Sequence, residues 1–179
     1  MNLNILKTIE EFNVWGEVVN YYAVGNGHIN STYFCETTTG NKYILQRINN
    51  NVFKDVDILM SNYYKVTTYL RHIGFGTIHI IKTKDGKNYL DNNGLPCRLY
   101  EYIDNVICYE RVDNMDLVYK AGKAFGKLHK ALKGFNANDL EEVIPNFHNT
   151  RQRYQNLLNA IKENKRNTNE SHRGHIRNA

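Results

Sequence analysis

Residues Tyr21–Asn49 read YYAVGNGHINSTYFCETTTGNKYILQRIN, and the type of element into which their first two glycines lead restricts the fold more than anything else in the chain. A glycine turn that opens into a helix would cradle a dinucleotide, and one closed by Gly-Lys-Ser/Thr would be a P-loop. Neither fits. Gly27 is succeeded by His28, and Thr32-Tyr33-Phe34-Cys35-Glu36-Thr37 is β-branched and aromatic, so the turn leads into a second strand. A second turn, Thr38-Thr39-Gly40-Asn41, returns the chain into a third strand, Lys42 to Ile48, where Arg47 is a cation in a mostly apolar run. Gly25-Asn26-Gly27-His28-Ile29-Asn30-Ser31 at the first turn lets backbone N–H groups approach an anion without Cβ interference, and the next strand brings a cation. That layout suits a phosphate chain. An ordinary hairpin with a glycine-containing loop reads the same way, so the remaining segments must decide.

The rest of the chain supplies one short helix before this unit and several elements after it. Ile5, Leu6, Ile9 and Phe12 have helical spacing, and Glu17 to Val24 reads as the first strand. Asp55 is placed to cap a helix whose apolar stripe runs Val56, Leu59, Met60, Tyr63, Val66, Leu70 and Ile73, with Gly74 at its C-terminal turn. Thr77 to Thr83 and Asn88 to Asp91 read as a hairpin about Lys84–Lys87, and Pro96 to Ile103 as a further strand. The expectation is about five antiparallel strands with one helix inserted after the third. Beyond them, Asp113 to Lys133 is an amphipathic helix in which Gly122 and Gly126 would let another element approach closely. Asn149 or Thr150 caps a last helix, Arg151 to Lys162, and the segment Asn146 to Arg151 reads as a cap rather than a substrate contact. From Glu163 onward the chain is polar and is expected to be disordered.

Composition narrows the function classes. The 179 residues are 41% hydrophobic, enough for one core. No apolar run reaches membrane-spanning length and the N-terminus has no signal-like block, so a cytoplasmic protein is expected. Cys35, Cys97 and Cys108 are odd in number and far apart, which favours reduced thiols. Residues 162–179 hold five cations against two acids, a net +3 of the chain's +5, so the remainder is nearly neutral. That tail has no aromatic residue to stack on a base, which argues against a nucleic-acid partner. His172 and His175 have no accompanying cysteine or carboxylate cluster, so no metal site is expected.

Five blocks in order, GNGHINSTYF (Gly25–Phe34), YILQRINNNVFKDVDILMSN (Tyr43–Asn62), RLYEYI (Arg98–Ile103), AFGKLHKAL (Ala124–Leu132) and IPNFHNT (Ile144–Thr150), carry a resemblance. The chain resembles the aminoglycoside phosphotransferase and choline kinase superfamily from about Phe12 to about Lys162, and within it the bacterial N-acetylhexosamine 1-kinases. The resemblance implies an α+β chain. A protein-kinase-like small lobe would occupy residues 1–104, the helical start of a large lobe 105–162, and a basic tail 163–179. It implies ATP and Mg²⁺ as co-substrate and metal, and phosphorylation of an N-acetylhexosamine to its 1-phosphate. Nucleotide would be met by Gly25, Asn26, Gly27, His28, Asn30 and Ser31 of the loop, by Arg47, and by backbone groups of Glu101 and Tyr102 at the hinge.

Two departures from the family pattern qualify this. The helix after Arg47 usually offers a carboxylate to the strand cation, but its centre here is Ser61, Asn62 and Tyr63. The His-Gly/Asn-Asp catalytic loop, its downstream Asn and the later metal-binding Asp have no counterpart after residue 130; Asp139 precedes Leu-Glu-Glu, and His148-Asn149-Thr150 lacks the acid. The sequence is therefore expected to be a truncated kinase, inactive alone and weak in nucleotide binding, with no catalytic residue and no metal ligand. Its helix 113–133 would be left open to self-association. A non-catalytic interaction module built on a kinase lobe is the alternative.

Overall fold

The computed structural model describes residues 3–25, 29–107, 109, 111–112 and 114–163. They include six strands: β1 (Val18–Ala23), β2 (Ser31–Thr37), β3 (Lys42–Arg47), β4 (Ile80–Ile81), β5 (Leu90–Asn92) and β6 (Leu95–Glu101). Four helices accompany them: α1 (Ile5–Glu10), α2 (Val56–His72), α3 (Met115–Leu132) and α4 (Thr150–Glu163). The strands make one antiparallel sheet in the order β1-β2-β3-β6-β4, with β5 also on β6. This α+β arrangement is that of a kinase-like small lobe, as the sequence implied. The expected hairpin of the fourth and fifth strands is corrected in detail. Both pair with β6, β4 through Ile80↔Tyr100 and Ile81↔Leu99 and β5 through Leu90↔Cys97, Asp91↔Pro96 and Asn92↔Leu95, so they take successive parts of its one edge.

Alternation divides the sheet into two faces. Tyr43 and Leu45 of β3, Cys35 of β2 and Cys97 and Leu99 of β6 pack with Ile5, Ile9 and Phe12. A six-residue helix is too short to hold itself, so α1 depends on this burial. Phe12 and Ile9 are among the largest fully buried side chains, each contributing about 1.5–3 kcal/mol. Polar ties fix its register: Asn4 Oδ1 accepts from Lys7 N at 3.2 Å, and Thr8 Oγ1 accepts from Asn92 Nδ2 at 3.1 Å. The second cluster gathers Met60 of α2, Ile48 and Ile80, with Val56, Leu59 and Tyr63 against them.

The helix signals acted as read. Asp55 Oδ1 caps α2 by accepting from Ile58 N at 2.9 Å. Gly74 takes φ +71°, and Phe75 N reaches back to Leu70 O at 2.8 Å, closing a C-terminal turn that favours a left-handed residue. Of the strand expected at Thr77 to Thr83, Ile80 and Ile81 form β4, His79 O accepts from Glu101 N at 3.0 Å, and Thr83 makes an isolated bridge to Phe12.

Two compact units divide the chain, Met1–Val143 and Ile144–Ala179. In the first, α2 is tied to α3 and the segment after it. Tyr69 Oη donates to Ala131 O at 3.2 Å, Lys65 Nζ to Asp139 O at 2.7 Å, and Asn62 exchanges two hydrogen bonds with the Glu141 backbone at 2.7 and 3.1 Å. No residue of α3 is buried. A Cβ on Gly122 or Gly126 would meet nothing within 4 Å, so the close approach expected there is not made by any described residue. In the second unit, Asn149 Oδ1 accepts from Gln152 N at 2.9 Å, the capping role expected of this segment. Glu163 is the last residue of α4 rather than the first of a tail; residues 164–179, where disorder was expected, lie outside the described residues.

Candidate functional site

The turn between β1 and β2 and the ends of the strands beside it form the candidate site. Gly25 enters the turn at φ +79° with open space where a Cβ would stand. Asn26, Gly27 and His28 lie outside the described residues. Asn30 closes the turn through its side chain: Oδ1 accepts from Asn49 N at 2.9 Å, tying the loop exit to the end of β3. Asn30 thereby acts as a clamp, a role its place in the motif did not reveal.

Two neighbouring cross-strand rows start where the loop ends. One is Ser31↔Arg47↔Cys97 and the next is Thr32↔Gln46↔Arg98. They point to opposite faces. Arg47 shares parity with Tyr43 and Leu45, the face sealed by α1, and its charge opposes the burial that pushes the Cys97 thiol up to about 12. Ser31 lies on that same row.

The other row faces α2 and is joined by side chains. Gln46 Nε2 donates to Thr32 Oγ1 at 3.1 Å. Its Oε1 accepts from Arg98 Nη2 at 2.7 Å and from Arg98 Nε at 3.1 Å. The guanidinium lies 4.4 Å from the centre of the Tyr63 ring, and Nη1 is 3.9 Å from Met60 Sδ. No carboxylate pairs with Arg98 among the described residues. Burial lowers the Arg98 pKa from its ordinary value, with Tyr63 and Tyr100 opposing. Tyr63 Oη is buried and has no hydrogen-bond partner among the described residues. Burial raises its pKa, the Arg98 charge working against this. Sequence reading passed over Arg98, Gln46 and Tyr63. The available signal was parity: Arg98 and Tyr100 share one face of a strand whose other face is Cys97 and Leu99.

The hinge is partly committed. Glu101 N donates to His79 O and Tyr102 N to Lys42 O, both at 3.0 Å. Of the backbone groups of Glu101 and Tyr102 expected at a base edge, the two N–H groups thus have partners within the sheet edge. Tyr102 O and Ile103 N are the first backbone groups past β6 with no partner among the described residues. Side-chain contacts brace the strand ends, a hydrogen bond between His79 Nδ1 and Glu101 Oε1 at 2.9 Å and an ion pair of Lys42 Nζ with Asp104 Oδ1 at 3.0 Å. A cleft of about 920 Å³ opens here, lined by Lys42, Tyr64, Arg71, His79, Glu101 and Tyr102 among others. Gly25, Asn30, Ser31 and Arg47 do not line it, because they stand at the other end of the strands. The structure therefore separates the loop residues from the hinge pair by the length of β3. Tyr22 and Phe34 lie between them, Phe34 stacked on Tyr22 at 4.9 Å and edge-on to Tyr102 of the hinge pair at 5.2 Å.

No group of three or more His, Cys, Asp and Glu is placed to hold a metal ion among the described residues. The described residues do not fit Mg²⁺. No helix among them is long and apolar enough to cross a membrane.

Solved structures share this fold. An amicoumacin kinase in complex with AMP-PNP, Ca²⁺ and Ami is 17% identical, with a TM-score of 0.59 over 74% of this chain and 40% of that one. An aminoglycoside phosphotransferase from Alicyclobacillus acidocaldarius subsp. acidocaldarius is 12% identical, with a TM-score of 0.59 over 94% of this chain and 46% of that one. A spectinomycin phosphotransferase in complex with ADP and spectinomycin is 12% identical, with a TM-score of 0.50 over 71% and 37%. The chain thus spans less than half the length of each. The family match reaches beyond the expected limit at Lys162, so most of the polar tail is inside it. Residues 21–173 match the model of the phosphotransferase enzyme family, and the chain belongs to that family.

Proposed function

We propose that this chain is the nucleotide-binding part of an ATP-dependent phosphotransferase whose acceptor is a hydroxyl of a small polar molecule. The observation that carries the reading is the β1–β2 glycine turn set at one end of the sheet, with a hinge at the other and an aromatic row between. Gly25 to Ser31 would cover the phosphates. The base would lie toward Tyr102 and Ile103, where backbone groups have no partner among the described residues. The division into a lobe at 1–104, the start of a second at 105–162 and a tail at 163–179 belongs to this proposal. So does the acceptor, an N-acetylhexosamine, which is supported by the motif likeness of GNGHINSTYF and RLYEYI.

Transfer itself needs an acid to orient the acceptor hydroxyl and a metal to spread charge. Neither the acid nor the metal ligands are recognisable in this sequence, so the chain binds nucleotide without turning it over. The test is titration of the chain with AMP-PNP, monitored by heteronuclear NMR or calorimetry. Saturable binding in about the millimolar range, with shifts confined to the sheet, the hinge and the side of α2 that faces them, is the expected result. A flat titration sinks the reading. Incubation with ATP and N-acetylglucosamine should yield no sugar phosphate above the protein-free rate.

A second reading is a non-catalytic module that docks through α3. Phe125 is 64% exposed and Val118 49%, and no residue of the helix is fully buried, which favours contact with another surface, including a second copy. Sedimentation of the wild type against Phe125→Glu separates these cases: self-association predicts a concentration-dependent species that the variant loses.

A further inference from the structure

Resting on the nucleotide reading above, we propose that Arg98, not Arg47, meets the phosphate chain, with Gln46 and Tyr63 as the groups that position it. Face comes first. Arg47 shares the face on which Tyr43 and Leu45 pack with Ile9 and Phe12, the face opposite α2. Arg98 is in the row that begins at Thr32, two residues past the Asn30 clamp, on the α2 side. Two strand spacings, about 10 Å, separate the β2 backbone at the loop exit from the β6 backbone, a gap the long arginine side chain helps to span.

Charge comes second. A half-buried guanidinium ordinarily keeps a carboxylate, because an uncompensated charge away from water is costly. Among the described residues Arg98 has neutral partners: the Gln46 amide oxygen, the Tyr63 ring and the Met60 sulfur. Two of its N–H groups donate to Gln46 and another faces the sulfur, so donors remain for an anion. Gln46 is itself oriented, since its amide nitrogen is spent on Thr32.

The third observation is independent of the charge. Tyr63 Oη is buried without a partner among the described residues, on the ring that covers the arginine. An orphan hydroxyl is destabilising, whereas a phosphate oxygen would accept from both the phenol and the guanidinium. Tyr63 stands at the centre of α2, where the resemblance implies that a carboxylate would usually stand. A carboxylate there would neutralise Arg98; the tyrosine leaves its charge for the ligand.

The experiment compares dissociation constants for adenosine and AMP-PNP on the full chain and on Arg98→Met, Tyr63→Phe and Arg47→Met. The quantity read is the preference for AMP-PNP over adenosine. Arg98→Met should lower it about tenfold or more while adenosine binding holds, because a charge-assisted contact is lost. Tyr63→Phe should lower it about threefold, and Arg47→Met should leave it within about twofold. An unchanged preference in Arg98→Met, or a loss in Arg47→Met, overturns the assignment. If Arg98→Met does not fold, Tyr63→Phe decides, since it removes only an unpartnered hydroxyl; an unchanged preference then overturns it. Wild type that binds adenosine and AMP-PNP equally well also overturns it and leaves the nucleotide reading standing. Wild type that binds neither ends both.

Discussion

At the scale of single residues, Asn30 and Tyr63 do opposite things with one polar group each. Asn30 spends its side-chain oxygen on Asn49 N and so fixes where the glycine turn ends. Asn30→Ala leaves that N–H without its partner and should cost about 1 kcal/mol, read as a lower melting midpoint. Tyr63 holds a hydroxyl that nothing satisfies among the described residues. Tyr63→Phe should raise stability by about 1 kcal/mol in the absence of ligand, seen by chemical denaturation. An equal or lower midpoint would show that the phenol has a partner in solution. Sequence alone placed both residues correctly, one in a turn and one on a helix stripe. It could not say what their polar atoms meet, because that depends on which strands are neighbours.

At the scale of elements, caps and periodicity were legible and contacts between elements were not. Asp55, Gly74 and Asn149 act as their types and positions imply, since a cap is a local arrangement of about four or five residues. Arg47 shows the limit. The spacing put a cation at the end of the third strand, but which face it serves depends on where α1 packs. A charged residue and its neighbour on a strand serve opposite sides, so a reading one residue out exchanges core for cleft. The two glycines of α3 show the same limit, because nothing approaches them among the described residues. Gly122→Ala and Gly126→Ala should each stabilise the helix by up to about 1 kcal/mol, with both changes together close to additive in a thermal melt. Destabilisation by either would mean that α3 is covered closely in solution.

At the scale of the whole molecule, the sheet stores protons that an unfolded chain would release at alkaline pH. Burial raises Cys35 from 9.0 to about 11, against a smaller lowering from the Leu45 backbone. Burial also raises Cys97 from 9.0 to about 12, with Arg47 opposing. Burial, then the hydrogen bond to Asp57, raises Tyr89 from 10.0 to about 12. In each case the folded pKa lies above the unfolded one. The protonated form is therefore favoured by folding, its contribution is complete below about pH 9, and it is lost as pH rises toward about 11–12. Each group can contribute a slope of at most about 1.4 kcal/mol per pH unit within its window. The melting temperature should stay level from about pH 7 to about pH 8.5 and then fall steeply. Below the fall, the folded protein should leave the peptides containing Cys35 and Cys97 unalkylated by iodoacetamide, since both thiols are buried and neutral. A melting temperature that holds level to about pH 11, or rapid alkylation of either cysteine at about pH 8, would show that β2 and β6 open to water far more readily than their packing against α1 implies.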